Sequence, residues 1–227
     1  MNWQSILSSS IGRKVVMAVS GLALFGFVII HMLGNLLIFA GPAALNGYAE
    51  KLESLGEILW VARIGLMVMV VLHIWSGLCL ARENRQARPL GYLGKKNTRT
   101  TFAATTMAIS GLLVLAYIIF HLLHFTFRVT HPQISHLLDA DGRRDVYTLV
   151  VLSFHELPIA LAYFVSMILL SLHLSHGFSS ALQTLGIANE SSLHGYEKMG
   201  RLIAAVIFLG YSSIPTACWL GIIKASH

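Results

Sequence analysis

The chain has 227 residues, 56% of them hydrophobic and only 11% charged, with a mean hydropathy of +0.70. A soluble domain carries about a quarter of its residues as charge, so this composition excludes an ordinary water-facing surface. A net charge of +6 would suggest nucleic acid in a soluble protein, but here the basic residues fall in short loops beside apolar runs, the pattern of a membrane protein's orientation signal.

The length suits one domain over residues 1–227 rather than two. Five stretches are long and apolar enough to cross about 30 Å of hydrocarbon, which takes roughly 20 residues: about 15–39, 59–81, 102–127, 148–176 and 201–222. Arg13 and Lys14 give the first the look of a signal peptide, but its apolar run far exceeds the 7–15 residues typical of a signal core, so it reads as an uncleaved span. Pro158 and Pro215 fall within spans, where neighbouring helices tolerate a kink. The expected fold is all-α, an integral membrane bundle of five transmembrane helices. Cys79 and Cys218 each lie in an apolar run and read as small buried hydrophobes. Two isolated cysteines do not make a disulfide framework or a zinc site, and no CxxCH offers covalent haem attachment.

Orientation follows the Lys and Arg counts. The N-terminal segment and the second and fourth connections hold Arg13, Lys14, Arg82, Arg85, Arg88, Lys95, Lys96, Arg99, Lys198 and Arg201, ten of the sixteen. The other side has Lys51, Arg63, Arg128, Arg143, Arg144 and Lys224, offset by acidic residues including Glu57, Asp139 and Asp145. The N-terminus is therefore expected in the cytoplasm and the C-terminus outside. The basic loop 82–99 reads either as an orientation signal alone or also as a docking surface for a soluble partner.

Eleven histidines are many for so apolar a chain, and four of them are marked by an internal repeat. Span one reads SGLALFGFVIIH to His31 and span three SGLLVLAYIIFH to His121, each with a glycine (Gly21, Gly111) ten residues before the histidine. Span two has His73 followed by Gly77 in HIWSG, and span four His173 followed by Gly177 in HLSHG. Repeats in membrane proteins commonly frame a shared site. Spans one and three run outward with late histidines, and spans two and four run inward with late histidines. The expected geometry is an outer pair, His31 with His121, and an inner pair, His73 with His173, each clamping one haem iron. An iron with imidazole on both faces has no open site for oxygen and passes electrons. The four glycines read as places cleared of side chain where a flat macrocycle approaches. Ionisable residues inside a membrane are functional by default.

His124 and His176 each follow a proposed ligand by three residues and are its rivals. The repeat register selects His121 and His173, leaving His124 and His176 as neighbours of haem propionate or quinone, or as plain interfacial residues. His131, His136, His194 and His227 fall in loops or tails and are given no role.

The segments SSSIGRKVVMAVSGLALFGFVIIHMLGNL, YAEKLESLGEILWVARIGLMVMVVLHIWSG and SLHLSHGFSSALQTLG resemble the diheme cytochrome b (b558-type) membrane anchor of succinate dehydrogenases and fumarate reductases, over essentially the whole chain. HMLGN and HLSHGF-SALQTLG are the most specific parts. The resemblance implies the anchor subunit of complex II in a bacterial cytoplasmic (inner) membrane, carrying two non-covalent haems b. Its implied partners are an iron–sulfur subunit and an FAD-containing flavoprotein on the cytoplasmic side, with which it exchanges electrons with quinone, commonly menaquinone in the diheme branch. It implies the same pairing of ligands as the repeat. Some diheme fumarate reductases carry a glutamate two residues before the fourth-span ligand; here that position is Ser171, which tilts the reading to succinate dehydrogenase. Quinone chemistry needs a proton donor or acceptor at the ring oxygens, and Glu50, Glu53, His155 and Glu156 are the candidates. The rival readings are a haem b anchor for a hydrogenase or formate dehydrogenase, and a haem-free transporter with proton-relaying histidines.

Overall fold

A computed structural model describes residues 9–86 and 102–225, with the backbone alone for 102–105. Arg88, Lys95, Lys96, Arg99 and His227 lie outside the described residues, as does most of the basic loop 82–99. The described chain is helical. Helix α1 (Ser10–Asn35) is prolonged by a 3-10 turn (Leu36–Ala40), then follow α2 (Pro42–Glu53), α3 (Glu57–Gln86), and α4 (Phe102–His121) prolonged by a π turn (Leu122–Thr126). After them come α5 (Val146–His155), α6 (Leu157–Thr184) and α7 (Leu193–Trp219). No strand occurs among the described residues, where Leu138 and Arg144 form an isolated bridge.

Five helical segments are long and apolar enough to cross a membrane: Ser10–Ala40, Glu57–Gln86, Thr106–Thr126, Leu157–Thr184 and Leu193–Trp219. Their large apolar side chains are widely exposed; on α3 alone Trp60, Ile64, Met67, Val71, Trp75 and Leu78 form one outward stripe at helical spacing. In water such a surface is unfavourable, whereas in hydrocarbon it is the natural outside of a helix whose backbone is already hydrogen-bonded.

The fourth span corrects the sequence expectation of 148–176. The chain breaks at Glu156, which takes an extended conformation (φ −78°, ψ 108°), and the span runs Leu157–Thr184. Pro158 is the cause. It stands second in α6, where its missing N–H costs nothing and its fixed φ suits helix initiation, so it starts the span rather than kinking it. The preceding α5 is a separate short helix, capped by the Asp145 carboxylate on the Thr148 N–H at 2.9 Å, with seven of its ten residues buried. The fifth span likewise begins earlier than expected, at Leu193, and keeps Pro215 inside it.

The described residues group into two compact units. The first takes in residues up to Phe27, those described from Ile64 to Leu112, and Leu172–Ala204. In it Phe25 packs on Phe178 with ring centres 5.2 Å apart, and Arg13 pairs with Glu83. A Cβ on Gly200 would lie 2.9 Å from the Ser175 carbonyl and 3.3 Å from the Phe178 ring, so α7 and α6 touch along the HLSHGF segment. Gly186, with φ +74°, ends α6 by taking the left-handed conformation that other residues avoid.

The second unit takes in Val28–Arg63, Leu113–Ser171 and residues from Ala205. Its core gathers Ile38, Leu45, Tyr147, Val151, Phe154, Tyr163 and Cys218. Asn46, fully buried, ties α2 to the connection before α5: its amide N–H groups donate to Asp139 and Asp145, each at 3.1 Å, and its oxygen accepts from the Tyr147 N–H at 2.9 Å. The HMLGN segment is a packing seam. Asn35 donates to the His31 carbonyl at 2.7 Å, a Cβ on Gly34 would lie 2.7 Å from the Tyr48 ring, and a Cβ on Gly210 of α7 would strike the Met32 sulfur. Both cysteines are free thiols, Cys218 buried and Cys79 half-buried.

Candidate functional site

The four repeat-marked histidines come together as two pairs, one within each unit. In the first unit His73 of α3 faces His173 of α6, with ring centres 6.2 Å apart and ring planes at 73°. The two sit at similar places in their helices, thirteen residues before Gln86 and eleven before Thr184. In the second unit His31 of α1 faces His121 of α4, with ring centres 5.8 Å apart and planes at 84°.

The polar surroundings of the first pair come from the repeat itself. The Nδ1 of His173 lies 3.2 Å from Ser110 Oγ, and the Nδ1 of His73 lies 3.4 Å from Ser20 Oγ and 3.3 Å from the Met17 carbonyl oxygen. Ser20 and Ser110 are the serines of the two Ser-Gly-Leu motifs. Beside them, a Cβ added at Gly21 would lie 3.0 Å from His73 Cε1, and one at Gly111 would lie 3.3 Å from His173 Cε1. The room these glycines leave is occupied by the edge of an imidazole. A Cβ at Gly77 would make only ordinary contact with Met17 at 3.9 Å, and one at Gly177 would meet nothing within 4 Å.

The second pair is surrounded by rings. His121 has Tyr117, Phe125 and Tyr163 with ring centres 5.7–6.1 Å away, and His31 has Tyr211 at 6.3 Å. Tyr211 donates its hydroxyl to the Val28 carbonyl at 2.8 Å. The Nδ1 of His121 is enclosed and has no hydrogen-bond partner among the described residues.

His124, the rival of His121, turns elsewhere. It lies in the π turn, which is wider than an α turn, so a residue three along no longer falls on the same face. Its ring is 1% exposed, with Nδ1 2.9 Å from the Tyr163 hydroxyl and Nε2 3.1 Å from Ser153 Oγ. With both nitrogens engaged, it has no lone pair to spare for a metal. His131, given no role from sequence, lies with its ring 5.1 Å from that of His124 and its Nε2 3.2 Å from Glu156 Oε1. His176, the rival of His173, is half-buried on α6 three residues beyond it. The Ser171 hydroxyl is buried without a hydrogen-bond partner among the described residues.

The four expected quinone candidates separate into two places. Glu50 and Glu53 line an open cleft of about 370 Å³ with Asp141, Arg143 and Arg144, where Glu53 pairs with Arg144 at 3.4 Å. That lining has no aromatic side chain and is charged on both signs. Around it Asp139 is held below the usual carboxylate range: desolvation would raise it, but hydrogen bonds from the Arg143 backbone and side chain and from Asn46 outweigh that. His155 and Glu156 are exposed at the break between α5 and α6, and Glu156 alone reaches the aromatic cluster, through His131.

Among the described residues no group of three or more His, Cys, Asp or Glu could hold a bare metal ion. A pair of imidazoles can serve a metal only when another group supplies the remaining ligands. The chain matches no protein-family model, no curated protein and no solved structure.

Proposed function

We propose that this chain is the diheme cytochrome b anchor of a membrane-bound succinate:quinone oxidoreductase, working as a succinate dehydrogenase with menaquinone. The observation that carries the reading is the pairing of His31 with His121 and of His73 with His173, each across a gap the width of one ligated iron. An imidazole nitrogen sits about 2 Å from its metal and roughly 1 Å from its own ring centre, so two imidazoles on one iron have centres about 6 Å apart. The separations here are 5.8 Å and 6.2 Å. A haem would supply the remaining ligands that a histidine pair lacks and, held by two histidines, would provide single-electron transfer.

The chain's own residues do the rest. His31 with His121, and His73 with His173, would each hold one haem iron, and the apolar spans keep water from the bundle interior. With two haems b bound, the chain would exchange electrons between a cytoplasmic iron–sulfur subunit and quinone. Of the four candidates Glu156 is the one that reaches the aromatic cluster, through His131 beside the His124 ring, so proton exchange with quinone is assigned to Glu156 and His131 ahead of Glu50, Glu53 and His155. The described part of the first unit carries six Lys or Arg (Arg13, Lys14, Arg82, Arg85, Lys198, Arg201) against three acidic residues, whereas the second has six against seven. By the positive-inside rule the first unit is the cytoplasmic one, where the iron–sulfur and FAD-containing subunits dock.

Purification in mild detergent tests the reading. A co-purifying FAD protein with succinate:quinone activity is the expected result; a nickel- or molybdenum-containing partner would instead assign the chain to a hydrogenase or formate dehydrogenase.

A further inference from the structure

We infer that Ser20 and Ser110 are positioning residues that fix the tautomer of His73 and His173, so that both present Nε2 to the group between them. The inference rests on the haem reading of that pair and deepens it.

The Ser110 hydroxyl has one hydrogen, and the Met107 carbonyl at 3.1 Å can only accept it. With the hydrogen there, the Ser110 oxygen accepts from His173 Nδ1, 3.2 Å away, which then carries the imidazole hydrogen. Ser20 repeats the arrangement. Its hydrogen goes to the Val16 carbonyl at 2.6 Å, leaving its oxygen to accept from His73 Nδ1 at 3.4 Å. The Met17 carbonyl, 3.3 Å from the same Nδ1, reaches the same assignment independently, since a carbonyl cannot donate. A neutral imidazole with hydrogen on Nδ1 has its lone pair on Nε2. Both serines are buried, 1% and 6% exposed, so water does not compete for these bonds.

The glycine after each serine completes the device. Gly21 and Gly111 leave the space into which the Cε1 edge of each imidazole fits. One dipeptide, used twice, therefore sets both the rotation and the tautomer of a histidine on the next span. Such outer partners of a metal-bound histidine raise its basicity and favour the more highly charged metal. His121, whose Nδ1 has no partner, lacks this support.

The test is a redox titration of purified protein with parallel low-temperature EPR, on wild type, Ser20→Ala, Ser110→Ala, Ser110→Thr and Ser76→Ala. Ser76, a buried serine on α3 whose hydroxyl donates to the Leu72 and His73 carbonyls, serves as control. Ser110→Ala is expected to raise one midpoint potential and change one set of low-spin g-values, leaving the other haem unmoved. Ser110→Thr restores both, because the hydroxyl returns. Ser20→Ala shifts the same haem by less, since the Met17 carbonyl still accepts from His73. If Ser110→Ala loses that haem outright while Ser110→Thr keeps it, the hydroxyl is again the determinant. Loss in both, or wild-type potentials and g-values in both alanine variants of a two-haem protein, overturns the inference and leaves the functional reading standing. Wild-type protein without haem overturns the functional reading itself.

Discussion

Around His73 and His173 the nearest partners are two serine hydroxyls and a carbonyl oxygen. His121 is ringed by Tyr117, Phe125 and Tyr163, and the Tyr211 ring lies beside His31. The first pair is oriented by hydrogen bonds to residues on adjacent spans, whereas His121 of the second, whose Nδ1 has no partner among the described residues, is held by the packing of rings from α4 and α6. Directional bonds fix one ring nitrogen, whereas packing fixes a ring's position and leaves its edge less determined. The two sites should therefore answer differently to the same kind of substitution.

Removal of the proposed haem ligands is the largest perturbation. His73→Ala or His173→Ala should cut the haem content from two per chain to one, or leave the second haem without its low-spin signal, with the His31–His121 site intact. His31→Ala or His121→Ala should do the reverse. Pyridine haemochrome with EPR reads both, and loss of both haems from every single variant would deny that the sites are independent.

Glycine substitutions sharpen the comparison. Gly21→Val pushes carbon into the space held by the His73 ring and should selectively disturb that site, whereas Gly26→Val, where a Cβ meets nothing within 4 Å, should not. In the second unit Gly34→Ala drives a methyl against the Tyr48 ring, an overpacking of about 1–3 kcal/mol. Thermal unfolding in detergent should show that loss with both haem spectra unchanged in position.

The smallest effect on the haems is expected from His124→Ala. It leaves the buried Tyr163 and Ser153 hydroxyls without their partner, which costs about 1–3 kcal/mol. Both low-spin signals should persist. Loss of the His31–His121 signal in His124→Ala, with that signal spared in His121→Ala, would show that the repeat register picks the wrong histidine.

The contrast also marks what sequence can carry. The four histidines were legible because the Ser-Gly-Leu register repeats, and a repeat is a relation between positions on one chain. The serines stood in plain view in that motif, but their work is done across to the next span, and periodicity along a helix does not name a partner on another. The spans were legible from hydropathy, yet the fourth was misplaced because α5 is as apolar as a span, and only Pro158 signalled the break. The His124–Tyr163–Ser153 cluster left no signal, since it joins three elements through side chains of ordinary type. His131 was passed over as a loop residue for the same reason.

The central claim is two haem sites built from two histidine pairs, and the most direct measurement is haem stoichiometry. Pyridine haemochrome against quantitative amino-acid analysis of the purified protein should give two haems b per chain, both extracted by acid acetone. A value of one or none in intact protein would contradict the account.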